Sequence, residues 1–278
     1  MGKQKRSANT YQKINGVFYR DTNNIVMMYD ELCDPVLEWL RTNDVKMYAT
    51  EKIDGTNIRI EVSSEVRMDR VYFDVAYKGK TDNANIPKNL ETHLKEKYSP
   101  EVVLNALGLK PLIPFEEFAA HKWVDEKGEP DTSRIPTMYT IYGEGYGKGI
   151  QKVGGRYIKD GSGFIVFDVK VNNTWLMPEA VKEIAGKLGA PYVPEYGPMT
   201  INEAIRICQN EDWKSQISED KTLPIEGIVL KTPWGLLDRM GRRIICKVKV
   251  CDFEKYKAKY GTTERVPQER NPKLNNND

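Results

Sequence analysis

The sequence predicts an α+β fold made of two largely antiparallel sheets with helices at their periphery. Three observations carry the prediction. Alternating segments at Lys46–Thr50, Asn57–Val62, Val71–Tyr77 and Thr137–Tyr142, an apolar run at Gly163–Val171 and a β-branched, basic segment at Arg242–Val250 read as strands. Helical stretches with identifiable starts, such as Asp34-Pro35 and Met177-Pro178, are set apart from them. The glycine-rich stretch Gly143–Gly149 lacks the G-x-G-x-x-G spacing and opens no βαβ unit, which removes a dinucleotide-binding doubly wound sheet. With 278 residues, 40% of them hydrophobic, the chain is long enough to bury a proper core.

In chain order, Tyr11–Met28 reads as two short strands about a turn at Asp21-Thr22-Asn23-Asn24. Asp34–Arg41 is a short helix capped by Asp34, with Val36, Leu37 and Leu40 on one apolar face. Lys46–Thr50 then runs into Glu51-Lys52-Ile53-Asp54-Gly55, and Asn57–Val62 runs out. Asp and Gly both tolerate positive φ, so a hairpin is expected there. The strand Val71–Tyr77 ends in Lys78-Gly79-Lys80-Thr81, which is no P-loop because Asp74 stands where the first glycine is needed. Pro87–Tyr98 reads as a charged surface helix, and Ser99-Pro100 opens another that closes at Gly108. Pro111–Trp123 fits no single period, and Asp125–Pro136 reads as a charged loop.

Thr137–Tyr142 is a strand that runs into Gly143-Glu144-Gly145-Tyr146-Gly147-Lys148-Gly149, which reads either as a flexible glycine-rich loop or, more sharply, as a stretch whose glycines let the backbone approach a ligand closely with Glu144 at a strand end. In the strand Gly163–Val171, period two puts Phe167 and Asp168 on opposite faces, and a carboxylate in so apolar a run needs a partner or a task. Pro178–Leu188 is a helix closed by Gly189, and Thr200-Ile201-Asn202-Glu203 is a capping box opening the next helix, through Cys208. A polar connection, Asn210–Leu223, leads to Glu226-Gly227, the apolar Ile228–Leu230, and Lys231. In Arg242–Val250 the two lysines Lys247 and Lys249 share one strand face. Their apolar neighbours favour a central strand with an anion, a phosphate, held between the two charges. Asp252–Tyr260 reads as a closing helix; residues 1–10 and 261–278 read as flexible ends around a single domain, 11–260.

Composition excludes several classes. There is no apolar run near 18 residues and no secretory h-region, so neither a membrane span nor an export signal is expected. Four scattered cysteines without a C-x-x-C pair, and only two histidines, argue against a zinc site and fit reduced thiols in a cytoplasmic protein. A net charge of +2 neither marks nor excludes a nucleic-acid ligand, since clustering decides that.

Lys52-Ile53-Asp54-Gly55 resembles the Lys-x-Asp-Gly nucleophile motif of the covalent nucleotidyltransferases, which comprise the ATP-dependent DNA and RNA ligases and the mRNA capping enzymes. Four further blocks follow in that superfamily's order: Tyr142-Gly143-Glu144-Gly145, Phe164-Ile165-Val166-Phe167-Asp168, Glu226-Gly227-Ile228-Val229-Leu230-Lys231 and Lys247-Val248-Lys249. With Glu51 before the lysine and Thr56-Asn57 after the glycine, the chain looks most similar to the RNA ligase family, over roughly Lys46 to Val250.

The resemblance implies a nucleotidyltransferase fold with the nucleotide in a groove between the two sheets. It implies that Lys52 attacks the α-phosphate of ATP, carries AMP, passes it to a 5′-phosphate end, and that a 3′-hydroxyl then displaces AMP and seals the strand. Glu51, Ile53, Asn57, Glu144, Phe167, Lys231, Lys247 and Lys249 become nucleotide contacts, with Phe167 stacking on the purine and Lys80 a weaker candidate. Lys247 and Lys249 also join Lys52 as catalytic residues, and Glu226 and Glu144 become ligands for Mg2+ or Mn2+. A lysine nucleophile must be neutral, and an ordinary pKa near 10.4 leaves only about one in 2,500 neutral at pH 7, so cationic neighbours are expected around it.

RNA is the expected partner, as single strands, a nicked duplex or a broken tRNA; no membrane contact is expected. The sequence ends too soon after Lys249 for the five strands of an OB domain, so either a one-domain ligase or one that relies on an accessory protein is expected. A DNA ligase or GTP-using capping-type enzyme is the alternative, followed by a non-catalytic nucleic-acid-binding relic of the fold.

Overall fold

The computed structural model describes residues 9–27, 31–67, 70–110, 112–114, 127, 138–210 and 213–260. The expectations for residues 1–8, for most of 111–136 and for the tail 261–278 lie outside the described residues.

The elements run β1 (Asn15–Gly16), α1 (Pro35–Thr42), β2 (Met47–Lys52), β3 (Thr56–Arg67), β4 (Arg70–Lys78), α2 (Lys88–Lys97), α3 (Pro100–Ala106) and β5 (Leu112–Pro114). They continue β6 (Met138–Gly147), α4 (Gly154–Tyr157), β7 (Ser162–Val171), β8 (Thr174–Trp175), α5 (Pro178–Leu188), β9 (Glu195–Met199), α6 (Ile201–Asn210), β10 (Gly227–Lys231), β11 (Ile245–Lys249) and α7 (Val250–Tyr260). The chain divides into two compact units, one of Met1–Tyr11 with Asp54–Val193, the other of Gln12–Ile53 with Pro194–Asp278. The α+β expectation of two mainly antiparallel sheets holds, and each unit contains one of them.

The unit of Gln12–Ile53 and Pro194–Asp278 carries a five-stranded sheet in the order β1-β11-β10-β2-β9. Every pairing in it is antiparallel except the short β1–β11 one. One face supplies Met47, Ala49, Ile228, Leu230, Cys246 and Val248 to a core with Leu37 and Leu40 of α1 and Ala204, Ile207 and Cys208 of α6. The caps form as the sequence predicts. Asp34 accepts from the amides of Val36 and Leu37, and Thr200 and Glu203 cap each other reciprocally. Val36 departs from expectation: it is exposed, because the face that α1 turns to the core carries only Leu37 and Leu40.

The unit of Asp54–Val193 carries a six-stranded antiparallel sheet in the order β5-β4-β3-β6-β7-β8. Ile58, Ile60, Val62, Ile141, Phe164, Val166 and Val169 pack with α2, α3 and α5. Helix α2 is less superficial than its charges suggest, since Leu90 and Leu94 are wholly buried.

Two sequence expectations are corrected. The strands on either side of Asp54-Gly55 do not form a hairpin: β2 pairs with β10 and β9, whereas β3 pairs with β4 and β6. Both edges of each strand are already taken by other strands. Gly55 is needed for a different reason, since a Cβ there would run into the Gly145 carbonyl oxygen and lie 2.7 Å from Glu144 Cγ. Likewise, of the two readings of the glycines in Gly143–Gly147, the flexible loop is the one that fails. The glycines extend β6 to Gly147, and Gly143 and Gly145 leave room for Phe164 and Leu90 on neighbouring elements.

Candidate active site

Lys52 is the last residue of β2, and its register places it opposite Gly227 of β10, which in turn lies opposite Lys249 of β11. Two residues back along β2, Thr50 aligns with Val229 and Lys247. One more step of two aligns Tyr48 with Lys231 and Ile245. Strand alternation therefore collects Lys52, Lys231, Lys247 and Lys249 on the face opposite the apolar core. Gly227 sits between Lys52 and Lys249 because β10 and β11 approach closely there. A Cβ on it would run into the Val248 carbonyl oxygen and lie 2.9 Å from Lys249 Cα.

The carboxylate answering these charges is Glu226, immediately before β10. Its Oε2 accepts from Lys52 Nζ at 2.5 Å, and both side chains are 22% exposed. Lys52 Nζ also reaches the carbonyl oxygen of Ile53 at 3.4 Å. Lys247 is the amine that the surroundings depress: burial first, then the positive charges of Lys52 and Lys249, bring its pKa down to about 8. Glu226 works in the opposite direction, and Arg20 adds slightly to the lowering. Behind Lys249, buried Asp252 at the start of α7 lies 3.9 Å from its Nζ and pairs with Arg20 at 2.7 Å.

Glu51 points the other way. It is 2% exposed, and its carboxylate accepts from Ser215 Oγ, from the Tyr196 hydroxyl at 3.0 Å and from the Gln216 amide at 3.1 Å. Burial raises its pKa, and these three donors partly offset the rise. The structure thus gives Glu51 a role the sequence did not suggest, anchoring the β2 end beneath Lys52 to the Trp213–Gln216 segment. Ser215, Gln216 and Tyr196 carried no sequence signal, being ordinary polar residues in a connection and an edge strand.

The remaining expected residues belong to the six-stranded unit. Asn57 of β3 and Glu144 of β6 are directly opposite each other. Glu144 is half-buried, and Asn57 Oδ1 is buried without a hydrogen-bond partner. Phe167 is the residue left over at a bulge, since Asp168 aligns with Tyr142 and Val166 with Gly143. It is half-buried, with its ring edge-on to Tyr11 at 5.0 Å. Asp168 finds its partner in the Tyr11 hydroxyl at 2.5 Å. Lys80 is exposed, while Lys78 is held by Glu61 at 2.8 Å. Glu61 also holds Arg59, which is wholly buried and further bonded to Asp82 and the Gly79 carbonyl. The sequence reading missed Arg59, although an arginine between Ile58 and Ile60 in a strand was a signal that its charge would need partners.

For a divalent cation the donors are sparse. No group of three or more His, Cys, Asp or Glu side chains converges among the described residues. Glu226 is a hard oxygen donor of the kind that magnesium and manganese take. No helix of the described residues is long and apolar enough to cross a membrane.

A family model described as RNA ligase matches residues 45–249. No curated protein gives a significant match. Among solved structures, a Naegleria gruberi RNA ligase variant with ATP and Mn is 17% identical, with a TM-score of 0.48, over 91% of this chain and 62% of that one. A second variant with ATP and Mn is 16% identical, with a TM-score of 0.49, over 92% and 60%. The Naegleria gruberi RNA ligase with PPi is 18% identical, with a TM-score of 0.45, over 92% and 63%. The chain therefore spans less than two thirds of the length of these matched proteins.

Proposed function

The chain belongs to the RNA ligase family, and from that membership we propose that it is an ATP-dependent RNA ligase acting through a covalent lysyl-AMP. The observation that carries the proposal is the register across β2, β10 and β11, which gathers Lys52, Lys247 and Lys249 beside Glu226 on one sheet face.

In the first step Lys52 Nζ bonds to the α-phosphorus of ATP, and the bond from that phosphorus to the pyrophosphate oxygen breaks. The proton must leave Lys52 for solvent before attack, and Glu226 Oε2, 2.5 Å from the amine, orients it. Lys247 and Lys249 supply positive charge to the phosphate oxygens as charge develops on them. A divalent cation ligated by Glu226 would supply Lewis-acid charge neutralisation of the same oxygens. In the second step AMP passes from the lysine nitrogen to a 5′-phosphate of RNA, regenerating the amine. In the third a 3′-hydroxyl attacks that activated phosphate, forming the phosphodiester and releasing AMP.

The proposal extends to the six-stranded unit residue by residue. Asn57, whose buried Oδ1 calls for a donor, and Glu144 opposite it are assigned to the nucleoside. Half-buried Phe167, set at its bulge, is assigned to the purine. The test is incubation with α-labelled ATP or GTP and Mg2+ or Mn2+, followed by denaturing gel and intact mass. An acid-labile AMP adduct, absent from Lys52→Ala, is expected. A GMP adduct, or no adduct from either nucleotide in folded protein, would overturn the reading.

A further inference from the structure

The connection from β10 to β11 exposes a group of large apolar side chains. Trp234 is 80% exposed, Met240 68%, Leu237 56% and Leu236 49%. Isolated exposed hydrophobics are ordinary, but four of them within seven residues of one connection are not. The connection is also a built structure. The Thr232 amide and hydroxyl donate to the Ile244 carbonyl, the Ile244 amide donates to Leu236, and Leu237 bridges to Arg243. At the tip, the Asp238 carboxylate accepts from the amides of Met240 and Arg242 and from the Arg242 guanidinium.

Trp234 stands within this frame at φ 56° and ψ 17°, in the left-handed region that bulky side chains avoid. A tryptophan held in a costly backbone conformation and turned out to water points to a task for the indole face. Charge identifies the occupant. From Lys231 to Arg243 the chain reads Lys-Thr-Pro-Trp-Gly-Leu-Leu-Asp-Arg-Met-Gly-Arg-Arg, with four basic residues against a single acidic one. That acid, Asp238, is already engaged by Arg242. An aromatic platform amid cations matches a single-stranded polynucleotide, whose bases stack on the ring and whose phosphates meet the cations.

We propose that the Thr232–Ile244 connection is a contact for single-stranded RNA, with Trp234 the stacking platform and Arg239 a phosphate contact. This inference rests on the RNA ligase reading and names a substrate-holding element outside the Lys52 face. Lys231 lies four residues along β10 from Gly227, the residue opposite Lys52, so the contact starts about 14 Å from the nucleophile's strand end.

The test measures binding of a labelled 5′-phosphorylated oligoribonucleotide of twelve or so nucleotides to the full chain, its Trp234→Ala and Trp234→Phe variants, and Arg239→Ala. AMP loading from ATP is measured on each in parallel. The expected result is RNA binding weakened about tenfold by Trp234→Ala, restored largely by Trp234→Phe, and weakened with a shallower salt dependence by Arg239→Ala, while AMP loading stays at the parent level. Equal RNA binding by parent and Trp234→Ala would overturn the inference, as would a parent chain that binds no RNA. So would a Trp234→Ala effect confined to self-association, which would give the apolar side chains to a second copy. Failure of AMP loading in the parent is a separate outcome that sinks the ligase reading, since RNA binding is read without it.

Discussion

Lys52 Nζ and Glu226 Oε2 lie 2.5 Å apart, although 174 residues separate them in sequence. The pair is possible because Lys52 ends β2 opposite Gly227, which puts the preceding residue of the neighbouring strand at the same sheet margin. The glutamate therefore has two uses in the proposed reaction, as the partner that orients the amine and as the carboxylate offered to a divalent cation. Glu226→Gln keeps the shape and removes the charge. The expected outcome is AMP loading slowed by about a hundredfold, with the parent's melting behaviour changed by no more than about 1 kcal/mol because the pair is partly exposed. Single-turnover labelling with thermal denaturation checks both; an unchanged loading rate would remove Glu226 from the mechanism.

Lys247 makes stability depend on pH. Its folded-state pKa of about 8 lies below the ordinary 10.5, so between these values the unfolded chain binds more protons than the folded one. Stability therefore rises with pH from about 8 to 10.5, and below 8 the folded state carries the full penalty of the buried charge. The shift corresponds to about 3 kcal/mol at most, and solvent screening of this partly exposed amine reduces it to about 1 kcal/mol. Lys247→Met is expected to be more stable than the parent by about 1 kcal/mol at pH 7, with the gap closing near pH 10.5, and to lose AMP loading. Denaturant titrations at the two pH values measure the difference, and a gap that widens with pH would contradict this assignment.

Glu51 should behave as a structural anchor. Ser215→Ala removes one donor from a buried carboxylate, which is expected to destabilise the chain by about 1–3 kcal/mol. Its pKa, already raised by burial, should rise further, so stability should fall more steeply as pH climbs from the acid side through the range between the ordinary and folded pKa values. Chemical denaturation across pH 4 to 7 reads this. A variant with parental stability throughout would show that Ser215 contributes nothing to holding the strand.

Gly227 is expected to tolerate no side chain. In Gly227→Ala the new methyl meets the Val248 carbonyl and the Lys249 backbone, neither of which is a flexible side-chain end. The β10–β11 pairing must open, at a cost of about 1–3 kcal/mol, and Lys249 must shift relative to Lys52. Loading should fall more than stability does; a variant that loads AMP normally would mean that this register is not what the chemistry uses.

Tyr11→Phe tests a hydrogen bond to the carboxylate inside β7. Removing the hydroxyl that donates to Asp168 is expected to destabilise the chain by about 1–3 kcal/mol, read by thermal melting, since a buried acceptor loses its donor. Parental stability would show that Asp168 is satisfied without it.

Most of the elements were legible in the residues themselves. Asp34-Pro35, Thr200 with Glu203, and Gly189 are local signals, because a cap is a contact between residues a few positions apart. Period-two alternation likewise found β4 and the lysine face of β11, and the order of the short blocks around Lys52, Glu144, Phe167, Glu226 and Lys247 carried the family resemblance. What those signals cannot contain is which strand lies beside which. Asp54-Gly55 reads locally as a turn, yet β2 and β3 enter different sheets, β2 between β10 and β9 and β3 between β4 and β6. The same limit hid the fate of Glu51 and Lys52. They are neighbours in sequence, but alternation sends one carboxylate into a nest of Ser215, Gln216 and Tyr196 and the next amine to Glu226. Sequence determined which residue types were available and which faces they could share. Tertiary structure decided their partners, because ion pairing, desolvation and the depressed pKa of Lys247 depend on distances across strands that only the folded sheet sets.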